Sequence, residues 1–494
     1  MAIARHQRVL LGAAVLACSV AAAQERSARG PASEVGDDAS AGEAPSLMRR
    51  LARDGFHDLG DEGWNAYGQL TFISGWKPSF PARYTNLNGS VNSLSPASEA
   101  SFTATATLFV GVRPWPGGEA YLVPEVIAER PFSQLRGLGG AIQNFELQKT
   151  GAETPQLYRS RAFVRQTFGL GGGTTPRDSD AMQLGGRVDR RRIVVVLGNF
   201  GVLDFFDKNT FTSDTRQQFL SLAFMTHAAW DFASDARGYS WGGVAELYYD
   251  DWAVRVGRAT PPLHPNQLAV SLRLDRSYGD ALEIEHRHEL LGRAGAIRVL
   301  GFRNRAVMGR FDDAIAAYRA DPARNAAACT AFNYGSNDAT APDLCWVRRP
   351  NVKVGIGLNV EQHVTEDAGA FFRAMYADGR SEVDAYTSAD RSLSLGALAR
   401  GSAWTRPLDA AGIAAGVAWI SAIHAEYLRM GGVDGFIGDG TIRQAPEANL
   451  EVFYSANLLP AWWLTLDYQH LWNPAFNSDR GPVDVFGLRV HAQY

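Results

Sequence analysis

The sequence predicts an all-β fold, a transmembrane antiparallel β-barrel of 16 strands, with 18 as the alternative, long extracellular loops and a short helical constriction segment. Three observations predict this class. The carboxy-terminal segment alternates apolar and polar side chains, the same alternation recurs along the chain, and the amino terminus has the pattern of an export signal. About ten such residues, tilted, cross a bilayer.

The carboxy-terminal segment, residues 485–494, is the clearest predicted strand. Phe486 and Leu488 alternate with Arg489 and His491, and the chain ends on Tyr494. Because successive side chains of a strand point to opposite faces, one face is apolar and the other polar.

The amino terminus predicts export. Arg5 and Arg8 precede an apolar stretch over 9–20, and three alanines at 21–23 form a small-residue cleavage site. We predict a signal peptide over 1–23, a flexible periplasmic N-terminal arm over 24–60 with a short helix near 47–52, and an outer-membrane barrel over 61–494 of a Gram-negative bacterium. A lipidated Cys18 is the alternative.

Composition excludes membrane-spanning helices. The chain is 46% hydrophobic and contains 50 glycines, and after the signal it has no apolar run of about 18 residues. Its net charge is -4, and no basic cluster stands clear of acids, so nothing indicates nucleic-acid binding. Cys329 and Cys345 enclose a short polar segment, and in an exported chain they predict a disulfide.

About 17 segments show strand alternation, and because single-chain barrels close with an even number of strands, at least one is missing or surplus. The predicted strands are 64–73, 102–113, 119–128, 158–168, 193–200, 242–249, 252–258, 267–274, 281–290, 296–302, 352–361, 371–376, 393–400, 414–422, 450–456, 463–469 and 485–494. Aromatic residues near strand ends favour membrane girdles over a soluble β-sandwich. A barrel of this size encloses water.

Five connections are far longer than hairpin turns: 74–101, 130–155, 201–241, 303–350 and 425–449. Within 201–241, Asp214 is an acceptable helix cap, and the apolar spacing at Phe219, Leu220, Ala223 and Phe224 predicts a helix running toward Trp230. Such a helix either narrows the lumen or caps the outer surface.

The residues also resemble the carbohydrate-selective porins of the OprB type, over roughly residues 64–494. The motifs that carry the resemblance are Gly198-Asn199-Phe200, Asp204-Phe205-Phe206-Asp207 with Asn209, Trp230-Asp231-Phe232 with Asp235 and Gly238-Tyr239, Glu361-Gln362, Asp378-Gly379-Arg380, Asp390-Arg391-Ser392-Leu393, Ile437-Gly438-Asp439-Gly440, Asp467-Tyr468-Gln469 and Asp479-Arg480-Gly481-Pro482-Val483. The resemblance implies a 16-stranded barrel that passes sugars passively through a constriction of charged and aromatic side chains.

A sugar that enters a narrow wet pore exchanges water for side-chain donors and acceptors, so arginine and carboxylate groups are the expected lining. The predicted constriction residues are Arg113, Glu125, Arg161, Arg165, Asp204, Asp207, Asp231, Asp235, Arg237, Glu246 and Arg373. For each arginine, a wall residue paired with a carboxylate away from the constriction is the alternative.

Apparent catalytic motifs lack their context. Gly238 to Gly242 fits G-x-S-x-G, but a strand follows it where the nucleophile elbow requires a helix. His286 and His288 share one strand face without further ligands. We expect no catalytic site, metal or cofactor. The expected partners are mono- or oligosaccharides, outer-membrane lipid, lipopolysaccharide and a second copy of the chain, and the alternatives are a barrel enzyme of lipase or protease type and a plugged binding barrel.

Overall fold

The computed structural model describes residues 46–148, 152–326 and 340–494. The predicted signal peptide, most of the predicted arm and Cys329 lie outside these residues. In the described part, sixteen antiparallel strands pair in sequence order and close into one barrel, because the first strand pairs with the last. A separate two-stranded hairpin is not part of the barrel wall.

The barrel strands are β1 Trp64–Lys77, β2 Glu99–Trp115, β3 Gly118–Arg130, β4 Gln156–Gly169, β7 Arg192–Gly201, β8 Tyr239–Tyr249, β9 Trp252–Ala259, β10 Tyr278–Leu290, β11 Arg293–Met308, β12 Arg349–His363, β13 Ala368–Ala377, β14 Arg391–Arg400, β15 Ala410–Trp419, β16 Glu447–Leu459, β17 Trp462–Trp472 and β18 Val483–Gln493; the separate hairpin is β5 Thr174–Arg177 and β6 Gly186–Asp189. The α-helices are α1 Leu47–Arg53, α2 Leu222–Met225, α3 Phe311–Ala320, α4 Pro322–Ala326 and α5 Ala422–Arg429. Among the described residues, no helix has the length and apolar character needed to cross a membrane.

The strands confirm the predicted architecture and identify the surplus segment. Residues 267–274 form no strand and contribute only one isolated bridge, between Pro262 and Val270. Alternation there occurs within a loop that has no neighbouring strand to pair with. The β5–β6 hairpin, which lies in the connection between β4 and β7, was not predicted.

The two faces of the wall follow the predicted alternation. On β2, Leu108 and Val112 are exposed on the outer face, whereas Thr103, Thr105 and Thr107 are buried on the inner face. The inner positions are buried because loops fill part of the lumen, and polar side chains there meet loop residues rather than lipid.

The connections differ strongly in length at the two rims. One rim carries loops L1 to L8, residues 78–98, 131–155, 202–238, 260–277, 309–348, 378–390, 420–446 and 473–482. The other rim carries mostly short turns, including 116–117, 250–251, 291–292 and 460–461. Since barrels of this kind have long extracellular loops and short periplasmic turns, we assign the rim of L1 to L8 to the extracellular side.

The hydrophobic core lies inside the extracellular half of the barrel, where loops pack against each other. It joins Ile142 of L2, Trp230 of L3, Tyr386 of L6 and Tyr427 of L7 in one buried cluster. The packed loops therefore narrow the lumen from the extracellular side.

A buried histidine links three of these loops. Within α5, His424 Nδ1 lies 3.1 Å from Asp390 Oδ2 and Nε2 lies 3.3 Å from Asp434 Oδ2. The ring of Phe311 stacks on the imidazole at 4.1 Å between ring centroids. Burial opposes the charge of His424, but Asp390 and Asp434 outweigh it and raise the pKa to about 9.

The periplasmic end is covered by the segment that precedes β1. A helix was expected near 47–52 and α1 occupies Leu47–Arg53. Met48 is fully buried against Tyr67, Phe109 and Val123 of the inner wall. The Glu62 carboxylate accepts the backbone N–H of Gly185 at 2.7 Å, which ties this segment to the connection that carries β5 and β6.

Candidate functional site

Loop L3 runs inside the barrel and contacts the inner wall at several separate points. It leaves β7 at Val202 and returns to β8 at Tyr239. The helix expected from Asp214 toward Trp230 is wrong in extent, since only α2 is helical, with Ser221 as its cap. The reason is that backbone groups of Thr215, Gln218, Leu220 and Ser221 bond to side chains of the barrel wall, whereas a longer helix would require them for its own hydrogen bonds.

The first anchor of L3 is a buried ion pair between Asp207 and Arg373 of β13. Arg373 Nε donates to Asp207 Oδ1 at 3.0 Å, and its other nitrogens donate to the carbonyls of Asp207 at 3.1 Å and Phe224 at 2.6 Å. Asp207 also accepts from Asn359 and Thr226. Both charged side chains are almost inaccessible to water. This pair holds the two limbs of L3 on one wall.

The part of the wall formed by β16 and β18, three and five strands from β13, holds the middle of L3 through its backbone. Glu451 accepts the N–H groups of Leu220 at 2.5 Å and Ser221 at 3.0 Å. Arg489, which is fully buried, donates to the carbonyls of Thr215 and Gln218, each at 2.7 Å. L3 is therefore fixed at β13, β16 and β18, and Arg216 extends it to Glu125 of β3, eight strands from β13, so the loop crosses the lumen.

A third anchor lies closer to the extracellular rim. Asp231 accepts from Lys353 Nζ at 2.9 Å and from the backbone N–H groups of residues 384–386 at 2.7 to 2.9 Å. Asp231 is fully buried, and these donors satisfy its carboxylate. The contact joins L3 to L6 and to β12.

Several charged side chains of L3 remain accessible within the barrel, and three of them lie in its middle part. Lys208 is exposed, and Asp214 and Arg216 are partly exposed. Lys208 interacts electrostatically with Asp204, Arg161, Asp214 and Arg255. These contacts place the ammonium group beside the wall formed by β4 and β9. We call Lys208, Asp214 and Arg216 the L3 charge group.

The wall beside the L3 charge group presents charges that are paired. Arg161 of β4 forms two hydrogen bonds of 2.7 Å to the Asp204 carboxylate. Glu125 of β3 accepts from Arg216 at 2.9 Å and also from Thr107 and Tyr158. The structure therefore brings together Glu125, Arg161 and Asp204 of the predicted set around L3.

A ladder of alternating charge continues along the inner wall from β8 to β12. Its members are Glu246, Arg255, Glu283, Glu285, Arg298 and Glu361, and each arginine bonds to carboxylates on neighbouring strands. Arg255 contacts three carboxylates at 2.9 to 3.0 Å. Glu361 also accepts the N–H of Thr210 at 2.6 Å, so the ladder reaches L3.

Four predicted residues lie away from L3 anchors. Arg113 and Arg165 lie toward the periplasmic end, where Arg113 pairs with Asp61 and Arg165 donates to Glu119 at 3.0 Å. Asp235 accepts the N–H groups of Arg237 and Tyr239 in a turn. The guanidinium of Arg237 lies 4.5 Å from the ring centre of Tyr158.

The sequence reasoning missed several charged residues that the structure places around L3. They are Lys208, Asp214, Arg216, Arg255, Glu283, Glu285, Arg298, Glu361 and Arg489. Two features of the sequence could have indicated some of these residues. Lys208 is one of four lysines among 48 basic residues, and Glu283, Glu285 and Arg255 occupy polar positions that alternate with apolar ones on β10 and β9.

Electrostatics keep the L3 anchors charged. Burial opposes ionisation of Asp207, but the Arg373 guanidinium and the hydrogen bond from Thr226 outweigh it and hold the pKa of this carboxyl below its ordinary value. Burial likewise opposes ionisation of Asp204, and Arg161 reverses it, so the pKa of Asp204 is also lowered. Burial lowers the pKa of His227 to about 4 against the attraction of Asp207, so His227 is neutral at neutral pH.

Cys345 is disulfide-bonded. Cys329, its predicted partner, lies outside the described residues, so the pairing stays a prediction.

Comparison with known proteins confirms the resemblance seen in the sequence. A family model described as "Carbohydrate-selective porin, OprB family" matches residues 92–494. The high pH structure of Pseudomonas putida OprB aligns with a TM-score of 0.64 at 14% identity, covering 92% of this chain and 100% of that chain. No relative was found among curated protein sequences.

Two further solved structures align less closely. The low pH structure of Pseudomonas putida OprB has a TM-score of 0.42 at 11% identity and covers 91% of this chain and 97% of that chain. The outer membrane channel DcaP of Acinetobacter baumannii has a TM-score of 0.45 at 10% identity and covers 88% of this chain and 98% of that chain.

Proposed function

The chain belongs to the carbohydrate-selective porin, OprB family, and we propose that its constriction is formed by the L3 charge group with Asp204 of L3 and Arg161 of the facing wall, while the buried Glu125 holds Arg216. Membership gives the class of function: the protein is an outer-membrane porin through which carbohydrates diffuse. Beyond this class of function, we propose the constriction residues, the type of sugar and the absence of bond-making chemistry.

The observation that carries the proposal is the accessibility of Lys208 between fixed charges of both signs. Arg161 and Asp204 are locked by two hydrogen bonds, and Arg216 is held by Glu125. Guanidinium and ammonium groups donate to sugar hydroxyls, and carboxylates accept from them. A sugar that loses part of its hydration at this point gains hydrogen bonds from donors and acceptors that the protein already holds in position.

The mixture of charges favours neutral sugars over ions. An anion that approaches Lys208 also meets Asp204 and Asp214, and a cation meets Arg161 and Arg216. A neutral mono- or oligosaccharide uses both kinds of partner without a large electrostatic barrier. Each contact must remain weak, since conduction requires release. The proposal includes no chemical step, and sugars leave unchanged.

Liposome swelling tests the proposal. Purified protein in liposomes is compared with Lys208→Gln and Asp214→Asn for uptake of a neutral hexose, a neutral disaccharide and a charged sugar acid of hexose size. We expect the variants to shift the ratio of charged to neutral uptake at least twofold, because removing one sign leaves the other uncompensated.

Arg391→Gln is the matched control, since Arg391 lies at the first position of β14 and stacks on Tyr376 rather than on any L3 residue. Uptake ratios identical to the parent in both L3 variants, with the barrel folded, would contradict the proposed constriction. Absence of sugar uptake by the parent protein would contradict an open channel and favour a plugged barrel.

A further inference from the structure

A patch of charged and aromatic side chains lies on the outer face of the wall, near the extracellular end of β9, β10 and β11. It consists of Arg258, Tyr278, Asp280, Arg303 and Arg305, and we call it the outer basic patch. In the strand register, Asp280 stands opposite both Arg258 and Arg303, and Tyr278 stands opposite Arg305. The five positions therefore form one contiguous surface.

These side chains point away from the lumen. On β11 the intervening residues Phe302 and Asn304 are buried inside the barrel, and Asn304 donates to the carbonyl of Asp231 in L3. Because side chains alternate along a strand, Arg303 and Arg305 occupy the opposite, lipid-facing side. Arg303 is exposed and Arg305 is partly exposed.

The outer basic patch carries more positive than negative charge. Arg258 donates to both oxygens of Asp280, at 2.7 and 2.9 Å, which neutralises that pair. Arg303 contacts the ring of Tyr278 at 5.6 Å. Among the residues that the structure describes, neither Arg303 nor Arg305 has a carboxylate within ion-pair distance. Two guanidinium charges are thus uncompensated by the protein.

An apolar trough of about 710 Å³ adjoins the outer basic patch. Gly243, Ala245, Val256, Leu282 and Gly301 line it. Small residues produce the depression, and a Cβ atom added at Gly301 would meet nothing within 4 Å. The trough lies on the outer, membrane-facing side, so hydrocarbon is what surrounds it.

Arginines near the membrane interface lie at the depth of the lipid headgroups, where anionic phosphate groups are available to pair with them. Planar guanidinium groups match phosphate oxygens in geometry and charge, and the trough accepts an acyl chain beside them. We propose that the outer basic patch and its trough bind a phosphorylated glycolipid of the outer leaflet, of the lipopolysaccharide type. Its phosphate contacts Arg303 and Arg305, and one acyl chain fills the trough over Gly301.

A second copy of the chain fits this surface less well. A two-fold contact centred on the outer basic patch would place the unpaired arginines of one copy against the same arginines of the other. Such a contact would bring together four cations without added anions. A lipid phosphate neutralises them directly, and that difference in charge favours the lipid.

The experiment measures lipid binding to delipidated full-length protein in detergent, by native mass spectrometry with purified diphosphorylated lipid A as the probe. The Arg303→Gln/Arg305→Gln double variant removes the two free cations, and Gly301→Leu fills the trough. We expect both to weaken lipid A binding about tenfold or more, a change of about 1.4 kcal/mol or more. Arg391→Gln, a lipid-facing arginine elsewhere on the rim, is the matched control and should bind as the parent does.

Two further measurements identify the molecule that occupies the outer basic patch and its trough. Lipid A without its phosphates should bind the parent at least tenfold more weakly, and phosphatidylglycerol should bind more weakly than lipid A. Equal binding of lipid A by the parent and the double variant would overturn the proposal, as would equal binding of the dephosphorylated lipid. A parent oligomer that dissociates in the double variant, measured by light scattering without added lipid, would assign the surface to a second copy and overturn it also.

Discussion

Replacing Arg373 with Met should release L3 from the wall while leaving the barrel closed. Arg373 is almost completely buried and supplies hydrogen bonds to the Asp207 carboxylate, the Asp207 carbonyl and the Phe224 carbonyl. Removing one partner of a buried ion pair costs about 3–5 kcal/mol, because the other charge is left unpaired. The loss of stability falls on L3, since no backbone hydrogen bond between β13 and its neighbouring strand depends on this side chain.

The expected effect on conduction follows from that magnitude. A loss of about 3–5 kcal/mol lowers the preference for the anchored loop by a factor of roughly 100 to 1,000 or more. L3 then spends measurable time away from the wall, and the constriction widens. Single-channel conductance in planar bilayers should rise and become noisier, and swelling assays should show disaccharides admitted relatively faster than in the parent.

Arg391→Met is the control for this experiment, because it also removes a guanidinium from the barrel, but one that lies over the ring of Tyr376 on the outer face. Its conductance should match that of the parent. If Arg373→Met, shown to be folded by heat-modifiable migration, conducted with the parent's amplitude and sugar preference, the assignment of Asp207 and Arg373 as the anchor of L3 would be refuted.

Two other predictions concern pH and packing. The pKa of His424 is raised from 6.5 to about 9 on folding, so its ion pairs contribute roughly 3 kcal/mol to the free energy of unfolding. This contribution is fully present below pH 6.5 and is lost as pH rises through about 9. Hydrogen exchange of α5 should accelerate over that range in the parent, whereas in His424→Gln it should change with pH only as intrinsic exchange does. Gly369→Ala should destabilise the protein by about 1–3 kcal/mol, because the added Cβ would overlap the ring of Phe211 in L3. Thermal unfolding in detergent measures this, with Gly301→Ala as the tolerated control, and equal melting temperatures of the two variants would contradict the packing described for L3.

Much of the barrel was predictable because alternation is a local property. Residues 352–361 alternate in sequence, and β12 extends over Arg349–His363 with the same faces outward. The surplus segment at 267–274 shows the limit of that signal, since alternation does not reveal whether a partner strand exists. The course of L3 was only partly predictable, because the acceptors of its backbone groups, such as Glu451, lie more than two hundred residues away.

The candidate constriction was also predictable only in part from the sequence. Arg161 and Asp204 were recognisable as polar groups beside a long loop, and the structure joins them by two hydrogen bonds. Arg216 lies in a stretch that was expected to be helical, and only the path of L3 toward β3 brings it to Glu125. Arg113 has the same chemical character as Arg161 but pairs with Asp61 at the periplasmic end.

The amino-acid sequence by itself determines the class of fold and the faces of its strands, because the two-residue period of a strand and the requirement for an apolar outer surface act on neighbouring residues. The position of L3, the pairing of its charges and the lipid-facing arginines depended on closure of the barrel. Closure brings strands distant in sequence to within hydrogen-bond distance, so a charge is paired, accessible or left facing the membrane according to register and loop path.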